Sequence, residues 1–196
     1  MFQTWHGAYR GVVAYRFSLM LSVAASALLF LGLGAGGEVM AGAGLLTLVS
    51  LGLFAVGVPM WAQAARTQGA LAAVSMLVAN LTNWWARLTD VDFSMLAYER
   101  VHLLQQGSAI ASGAAMVLFM WSWRSSAEAV NHSLAARLCE KAMIAACVSG
   151  VMSFGLTLEL TDRATWLTLC SLAAEVALLV TALKAAKSLE VALFPE

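Results

Sequence analysis

Charged side chains are scarce in this chain of 196 residues, where Asp, Glu, Lys and Arg together make up 11%. An average soluble domain has about 25%. So few charges cannot cover the surface of a water-soluble domain of this size. Disordered chains are polar and rich in charge, so disorder is excluded as well. Basic and acidic residues balance at 11 each, which leaves no net positive charge for binding nucleic acid.

Cysteine is also scarce, and the three residues Cys139, Cys147 and Cys170 all lie in apolar segments. An odd number of cysteines without a C-x-x-C motif argues against a disulfide framework and against a zinc site. We interpret them as small packing residues. The three histidines lie outside the confident apolar segments, so a haem held by two intramembrane histidines has no support in the sequence. We therefore expect no metal and no cofactor.

Apolar residues are abundant instead, at 61% of the chain, and the mean hydropathy is +0.81. This composition predicts an all-α integral membrane protein, because backbone groups in lipid must be satisfied within helices. A span needs about 20 apolar residues. Four segments meet this length: Phe17–Gly36, Ala41–Trp61, Cys139–Leu158 and Ala164–Leu183. The first follows basic residues as a signal peptide would, but it is too long for that interpretation.

Two further segments, Leu71–Trp85 and Gly107–Trp123, are marginal in length, so the bundle has four to six spans. If neither crosses, ten of the eleven basic side chains lie on one side. If both cross, eight do, and Arg87, Arg100 and Arg163 lie opposite. Basic residues favour the cytoplasmic side, so an even number of spans fits better than five. We favour six, with both termini in the cytoplasm of a bacterial inner membrane, and keep four as the alternative.

The chain also matches itself when shifted by 121 residues. Residues 14–66 and 135–187 share 14 identities in 53 positions, all without gaps. We interpret the two segments as an internal repeat of two related helical hairpins. The chain is then a single membrane domain, 1–196, in which the connecting segment 68–124 has an uncertain placement.

The segment 71–88 carries a regular apolar pattern with alternating steps of three and four residues. This pattern is typical of a coiled-coil seam. It predicts either an oligomerisation helix or an ordinary amphipathic packing helix. The residues of the seam are Leu71, Val74, Val78, Leu81, Trp85 and Leu88.

The strongest candidate for chemistry is Glu175, near the centre of the last apolar segment. A carboxylate at that depth costs roughly 2.5–3.5 kcal/mol on insertion scales, so we expect it to face protein or water. Thr168, Ser171 and Glu175 are spaced i, i+3, i+7, which places them on one helix face. The first repeat keeps the threonine and the serine but has Phe54 in place of the acid. The pattern predicts a single ion or proton site, or a neutral glutamic acid hydrogen-bonded between helices.

Two groups of polar and aromatic residues mark the predicted borders of the membrane. His132, Arg137, Glu140 and Lys141 lie around the start of an apolar segment and predict an interfacial charge cluster. Tryptophan prefers the same level, and most of the seven tryptophans lie at segment ends. The six residues interpreted as an aromatic belt are Trp61, Trp84, Trp85, Trp121, Trp123 and Trp166.

The sequence contains no P-loop, catalytic triad or redox cysteine pair, so we expect no enzyme activity. The first hypothesis is a membrane protein that acts by assembly, as a subunit of a larger complex or as a homo-oligomeric channel or pore. Its partners are then lipids, other membrane subunits or copies of itself. The alternative is a small secondary transporter or ion-coupled permease that uses Glu175, since midplane acids and internal repeats occur in such proteins. An enzyme acting on lipid substrates is a third, less favoured class.

Overall fold

The computed structural model describes residues 5–31, 42, 45–46, 48–50, 52–53, 66–89, 95–157 and 164–193. These residues are helical apart from Trp5 and the turn 130–132, and they include no strand. The prediction of an all-α chain is confirmed for this part of the protein. Five helices have defined bounds: α1 (His6–Leu31), α2 (Arg66–Thr89), α3 (Met95–Ala129), α4 (Ser133–Thr157) and α5 (Ala164–Leu193).

Two of the predicted spans coincide with helices that could cross a membrane. Judged by length and composition alone, Ser133–Leu156 in α4 and Leu169–Leu193 in α5 are long and apolar enough. The two marginal segments lie within α2 and α3. Most of the predicted span Ala41–Trp61 lies outside the described residues.

The helices pack in the order α2, α3, α4, α5, α1. Short connections make sequence neighbours antiparallel, and Arg16 of α1 contacts Glu190 of α5. It follows that α1, α2 and α4 begin at the end where α3 and α5 finish. We call this the basic end, because every described Lys or Arg side chain lies in the helix halves nearest to it. These side chains are Arg10, Arg16, Arg66, Arg124, Arg137, Lys141, Lys184 and Lys187.

Residue size is sorted between the inside and the outside of the described helices. Of 20 buried hydrophobic residues, 11 are alanine, and all seven buried polar residues are serine. Among 24 exposed large hydrophobic residues, 20 are Val, Leu or Ile, whereas only four such residues are buried. Water-soluble proteins bury Ile, Val and Leu most often. The packing here brings small residues together and leaves large apolar side chains on the surface.

Buried serines join neighbouring helices at two places. The Ser18 hydroxyl donates to the Ser50 carbonyl at 2.8 Å, and the Ser50 hydroxyl donates to the Ser18 carbonyl at 2.8 Å. This reciprocal pair ties α1 to the helical positions around residue 50. The Ser108 hydroxyl of α3 donates to the Ala79 carbonyl of α2 at 2.9 Å. Each bond satisfies a hydroxyl that would otherwise be buried without a partner.

The turn between α3 and α4 is fixed by its own residues. Asn131 has a φ of 55°, the left-handed conformation that ends many helices. The amides of Asn131 and His132 donate back to Glu128 and Ala127, which forms a Schellman motif. The His132 Nδ1 atom then accepts the Ala135 amide at 3.2 Å and caps the start of α4. Three residues therefore reverse the chain and place two charged helix ends side by side.

We expect the left-handed position to be sensitive to side-chain shape. Asn131→Val should lower the free energy of unfolding by about 1–2 kcal/mol, because a Cβ branch is costly at positive φ. Asn131→Gly should leave it unchanged or slightly higher. The measurement is denaturant unfolding in detergent followed by circular dichroism. Ala129→Val is the control, since that exposed helical position should lose only about 0.5 kcal/mol. Equal losses for the two valine variants would contradict the role of Asn131.

Candidate functional site

Glu175 lies exposed on α5, among large apolar side chains that are also exposed. Its neighbours Leu172 and Val176 are 57% and 52% exposed. Ser171, one turn earlier, is buried, and the side chain of Thr168 lies outside the described part. Residues four apart differ by about 40° around a helix, so Ser171 and Glu175 fall on opposite sides of the edge of the buried stripe. The ion or proton site predicted for the three residues stays a prediction.

The predicted seam lies on α2, and its first four residues face outward. Leu71, Val74, Val78 and Leu81 are each between 47% and 59% exposed. The side chains of Trp85 and Leu88 lie outside the described residues. The helix buries alanine instead, through Ala72 and Ala79, so the exposed seam is a second face rather than the one that packs on α3. Whether it binds another copy stays a prediction.

Three aromatic rings from α1 and α3 meet in the core near the basic end. The Tyr15 ring centroid lies 4.1 Å from that of Phe119 and 4.8 Å from that of Trp123. Trp123 is 1% exposed, so its interpretation as part of an aromatic belt is wrong. Trp121 and Trp166 are exposed, as a belt would require. Trp121 and Trp123 are two positions apart at the end of one helix, yet Trp121 faces outward and Trp123 faces the core. Position near a segment end therefore does not distinguish an exposed tryptophan from a buried one.

An ion pair between Arg16 and Glu190 joins α1 to α5. The side chains are only 26% and 19% exposed. The Nε atom of Arg16 is buried without a hydrogen-bond partner, so the pair is the main compensation for this charge. Sequence reasoning treated Arg16 only as a basic residue before a span. The 174 positions that separate it from Glu190 left no local pattern to detect.

An open groove of about 370 Å³ lies at the basic end, around the turn from α3 to α4. It contains three of the four residues predicted to form an interfacial charge cluster, but not Lys141. The structure adds residues from α3 that the sequence did not connect to them. The lining residues are Arg124, Glu128, Asn131, His132, Ser133, Ala136, Arg137 and Glu140.

The charges in this groove are unevenly paired. Arg124 Nε donates to Glu128 Oε1 at 2.9 Å, and Arg124 Nη1 lies 4.0 Å from Glu140 Oε1. The hydrogen bond and the charge of Glu128, followed by the charge of Glu140, raise the pKa of the Arg124 guanidinium. In the part of the chain that the structure describes, Arg137 forms no ion pair. Among the described residues, the charge of Arg124 is therefore balanced by carboxylates in the groove, whereas the charge of Arg137 is not.

Within the described residues no group of three His, Cys, Asp or Glu side chains could hold a metal ion. Cys139 is buried as expected of a packing residue, whereas Cys147 and Cys170 are exposed, and all three are free thiols. Comparisons with protein-family models, curated proteins and solved structures found no significant match to this chain.

Proposed function

We propose that the chain is a non-enzymatic integral membrane protein that acts by assembly, as a subunit of a larger complex or a homo-oligomeric channel or pore. The observation that carries this proposal is the position of Glu175. It is exposed at the edge of the buried stripe of α5, beside the outward apolar side chains Leu172 and Val176, where lipid would otherwise reach it. A neighbouring subunit that covers this face would remove the carboxylate from hydrocarbon.

The sorting of residues by size supports the membrane part of the proposal. Helices in lipid gain nothing by hiding Leu or Val from the solvent, so they pack through small residues that allow close approach. The described helices bury Ala and Ser and expose Val, Leu and Ile. In water the same surface would be an aggregation hazard. Lipid solvates it without cost.

The distribution of charge supports a topology with six spans and both termini in the cytoplasm. All eight described basic side chains lie at one end of the helices. Arg87 and Arg100 belong to the opposite end, since they lie near the last residue of α2 and the first residues of α3. The described positions, eight at one end and two at the other, fit the division expected for six spans, and the basic end is then cytoplasmic in a bacterial inner membrane.

Assembly through Glu175 explains why a carboxylate is tolerated on that face. The carboxyl group would meet a partner side chain or its equivalent in another copy, and polar contacts between helices in lipid contribute about 0.6–2 kcal/mol. The exposed seam on α2 offers a second apolar contact surface on a different helix. A transporter that couples to Glu175 would instead place this group in an internal cavity, which its exposure on α5 does not favour.

We expect the full chain, purified in mild detergent, to give a single stoichiometry above the monomer in native mass spectrometry, or to co-purify with other membrane subunits. Glu175→Gln should keep the assembly, because the amide retains hydrogen-bonding groups. Glu175→Leu should weaken it by about 1 kcal/mol, which is roughly fivefold in the dissociation constant.

The matched control is Lys141→Leu, which also replaces an exposed charged side chain with leucine, at the basic end of α4. It should leave the stoichiometry unchanged. A monomer at all concentrations, together with no partner chain, would contradict the proposal. Loss of ion-coupled uptake in Glu175→Gln with unchanged assembly would identify the chain as a transporter instead.

A further inference from the structure

The groove at the basic end opens onto an apolar surface on its α4 side. Glu140, Ile144, Val148 and Val151 follow one another at steps of four, four and three residues, so they lie on one side of the helix. The three apolar residues are 61%, 42% and 68% exposed. A polar cleft thus continues directly into an apolar stripe about three turns long.

The α3 side of the groove has the same order of chemistry. Glu128 and Arg124 line the groove. Trp121 lies three residues before Arg124 on α3, further from the α3–α4 connection, and is 48% exposed. Ile110, eleven residues before Trp121 and on the same side of the helix, is 57% exposed. From the end of the helices inward, the exposed stripes of α3 and α4 each read charged, then aromatic or apolar, then aliphatic. This sequence matches the cross-section of a phospholipid from headgroup to acyl chain.

The charges at the mouth specify the headgroup. Arg137 has no ion-pair partner among the described residues, so its guanidinium can donate hydrogen bonds to a phosphate. Glu140 lies 4.0 Å from Arg124, the limit for an ion pair, so its carboxylate retains capacity for a second cation. The four charged residues of the groove sum to zero. An anionic headgroup would pair with the arginines but offer no cation to the glutamates. A zwitterionic headgroup would offer a phosphate to the arginines and an ammonium to the glutamates.

We propose that this groove is a binding site for a phospholipid whose headgroup carries a primary ammonium, as phosphatidylethanolamine does. The phosphate contacts Arg137, the ammonium donates to Glu140 and Glu128, and an acyl chain follows Ile144 and Val148. The site rests on the proposed membrane embedding but not on the proposed assembly. A trimethylated ammonium has no N–H group to donate, so the glutamates should distinguish the two zwitterionic lipids.

The test is native mass spectrometry of the delipidated full chain with three lipids of matched acyl chains: phosphatidylethanolamine, phosphatidylcholine and phosphatidylglycerol. The unchanged protein should retain phosphatidylethanolamine about tenfold more tightly than the other two, the scale of one charge-assisted hydrogen bond. This comparison needs no variant. Preference for phosphatidylglycerol, or equal binding of all three lipids, would overturn the proposal.

Two variants then assign the parts of the headgroup. Glu140→Gln should reduce binding of phosphatidylethanolamine to the level of phosphatidylcholine, whereas Arg137→Gln should weaken both. Lys141→Gln is the control, because this exposed cation is adjacent in sequence but does not line the groove. An effect of Lys141→Gln as large as that of Arg137→Gln would overturn the site. Lipid selectivity in a monomeric protein would leave this inference intact while the assembly proposal fails, and an oligomer without selectivity would do the reverse.

Discussion

Glu190→Ala should lower the free energy of unfolding by about 2–3 kcal/mol. Removing one partner of a fully buried ion pair costs about 3–5 kcal/mol, because the other charge stays buried without compensation. The pair with Arg16 retains about a fifth to a quarter of its exposure, which reduces the expected loss. The Nε atom of Arg16 already lacks a hydrogen-bond partner, so the guanidinium depends strongly on this carboxylate.

The double variant Arg16→Met with Glu190→Leu separates the pair from its surroundings. Two apolar side chains of similar size need no compensation, so this variant should unfold within about 1 kcal/mol of the unchanged protein. The measurement is equilibrium unfolding of the unchanged protein, Arg16→Met, Glu190→Leu and the double variant in the same detergent, which gives the coupling energy of the pair.

The exposed pair Arg124–Glu128 provides the matched control for that cycle. Its side chains are 39% and 55% exposed, and solvent screens such pairs strongly. Glu128→Ala should therefore leave unfolding unchanged within experimental error. A loss in Glu128→Ala equal to that in Glu190→Ala would show that burial of the α1–α5 pair has no special weight.

The helices could be predicted from the sequence, but their lengths could not. The predicted apolar segment Ala164–Leu183 stops at Leu183, yet α5 continues to Leu193. Hydropathy ends at Lys184, whereas helix formation does not, because Lys, Glu, Ala and Leu all have high helix propensity. The same reason extends α3 to 35 residues around the marginal segment Gly107–Trp123. The ion pair with Glu190 lies in such an extension.

The sequence also does not predict which apolar residues are buried and which are exposed. Periodicity identifies a buried face when the other face is polar, but here both faces are apolar. Residue size distinguishes the two faces instead, because alanine and serine lie on the sides where the helices pack. The proposed repeat fits this rule at matched positions, because Ser18 and Cys139 are both buried, as are Ser50 and Ser171. The duplication itself stays a prediction.

Gly113→Leu should produce the other large effect, through the crossing of α3 and α4. A Cβ atom at Gly113 would lie 3.2 Å from the Cα of Gly150, and one at Gly150 would lie 3.3 Å from the Cα of Gly113. A backbone atom cannot rotate away, so a leucine must push the helices apart. Overpacking of this kind costs about 3 kcal/mol, against about 1 kcal/mol gained in helix propensity. The net loss in the free energy of unfolding should be about 2 kcal/mol.

Gly155→Leu is the control, because it makes the same chemical change on α4 where a Cβ would meet nothing within 4 Å. This variant keeps the gain in helix propensity without the clash, so its unfolding free energy should stay equal or rise. Gly113→Ala and Gly150→Ala should each cost less than Gly113→Leu, and together less than their sum, since one separation of the helices accommodates both methyl groups. If Gly113→Leu and Gly155→Leu unfold alike, or if the two alanine variants add in full, the close crossing does not limit the packing of α3 and α4.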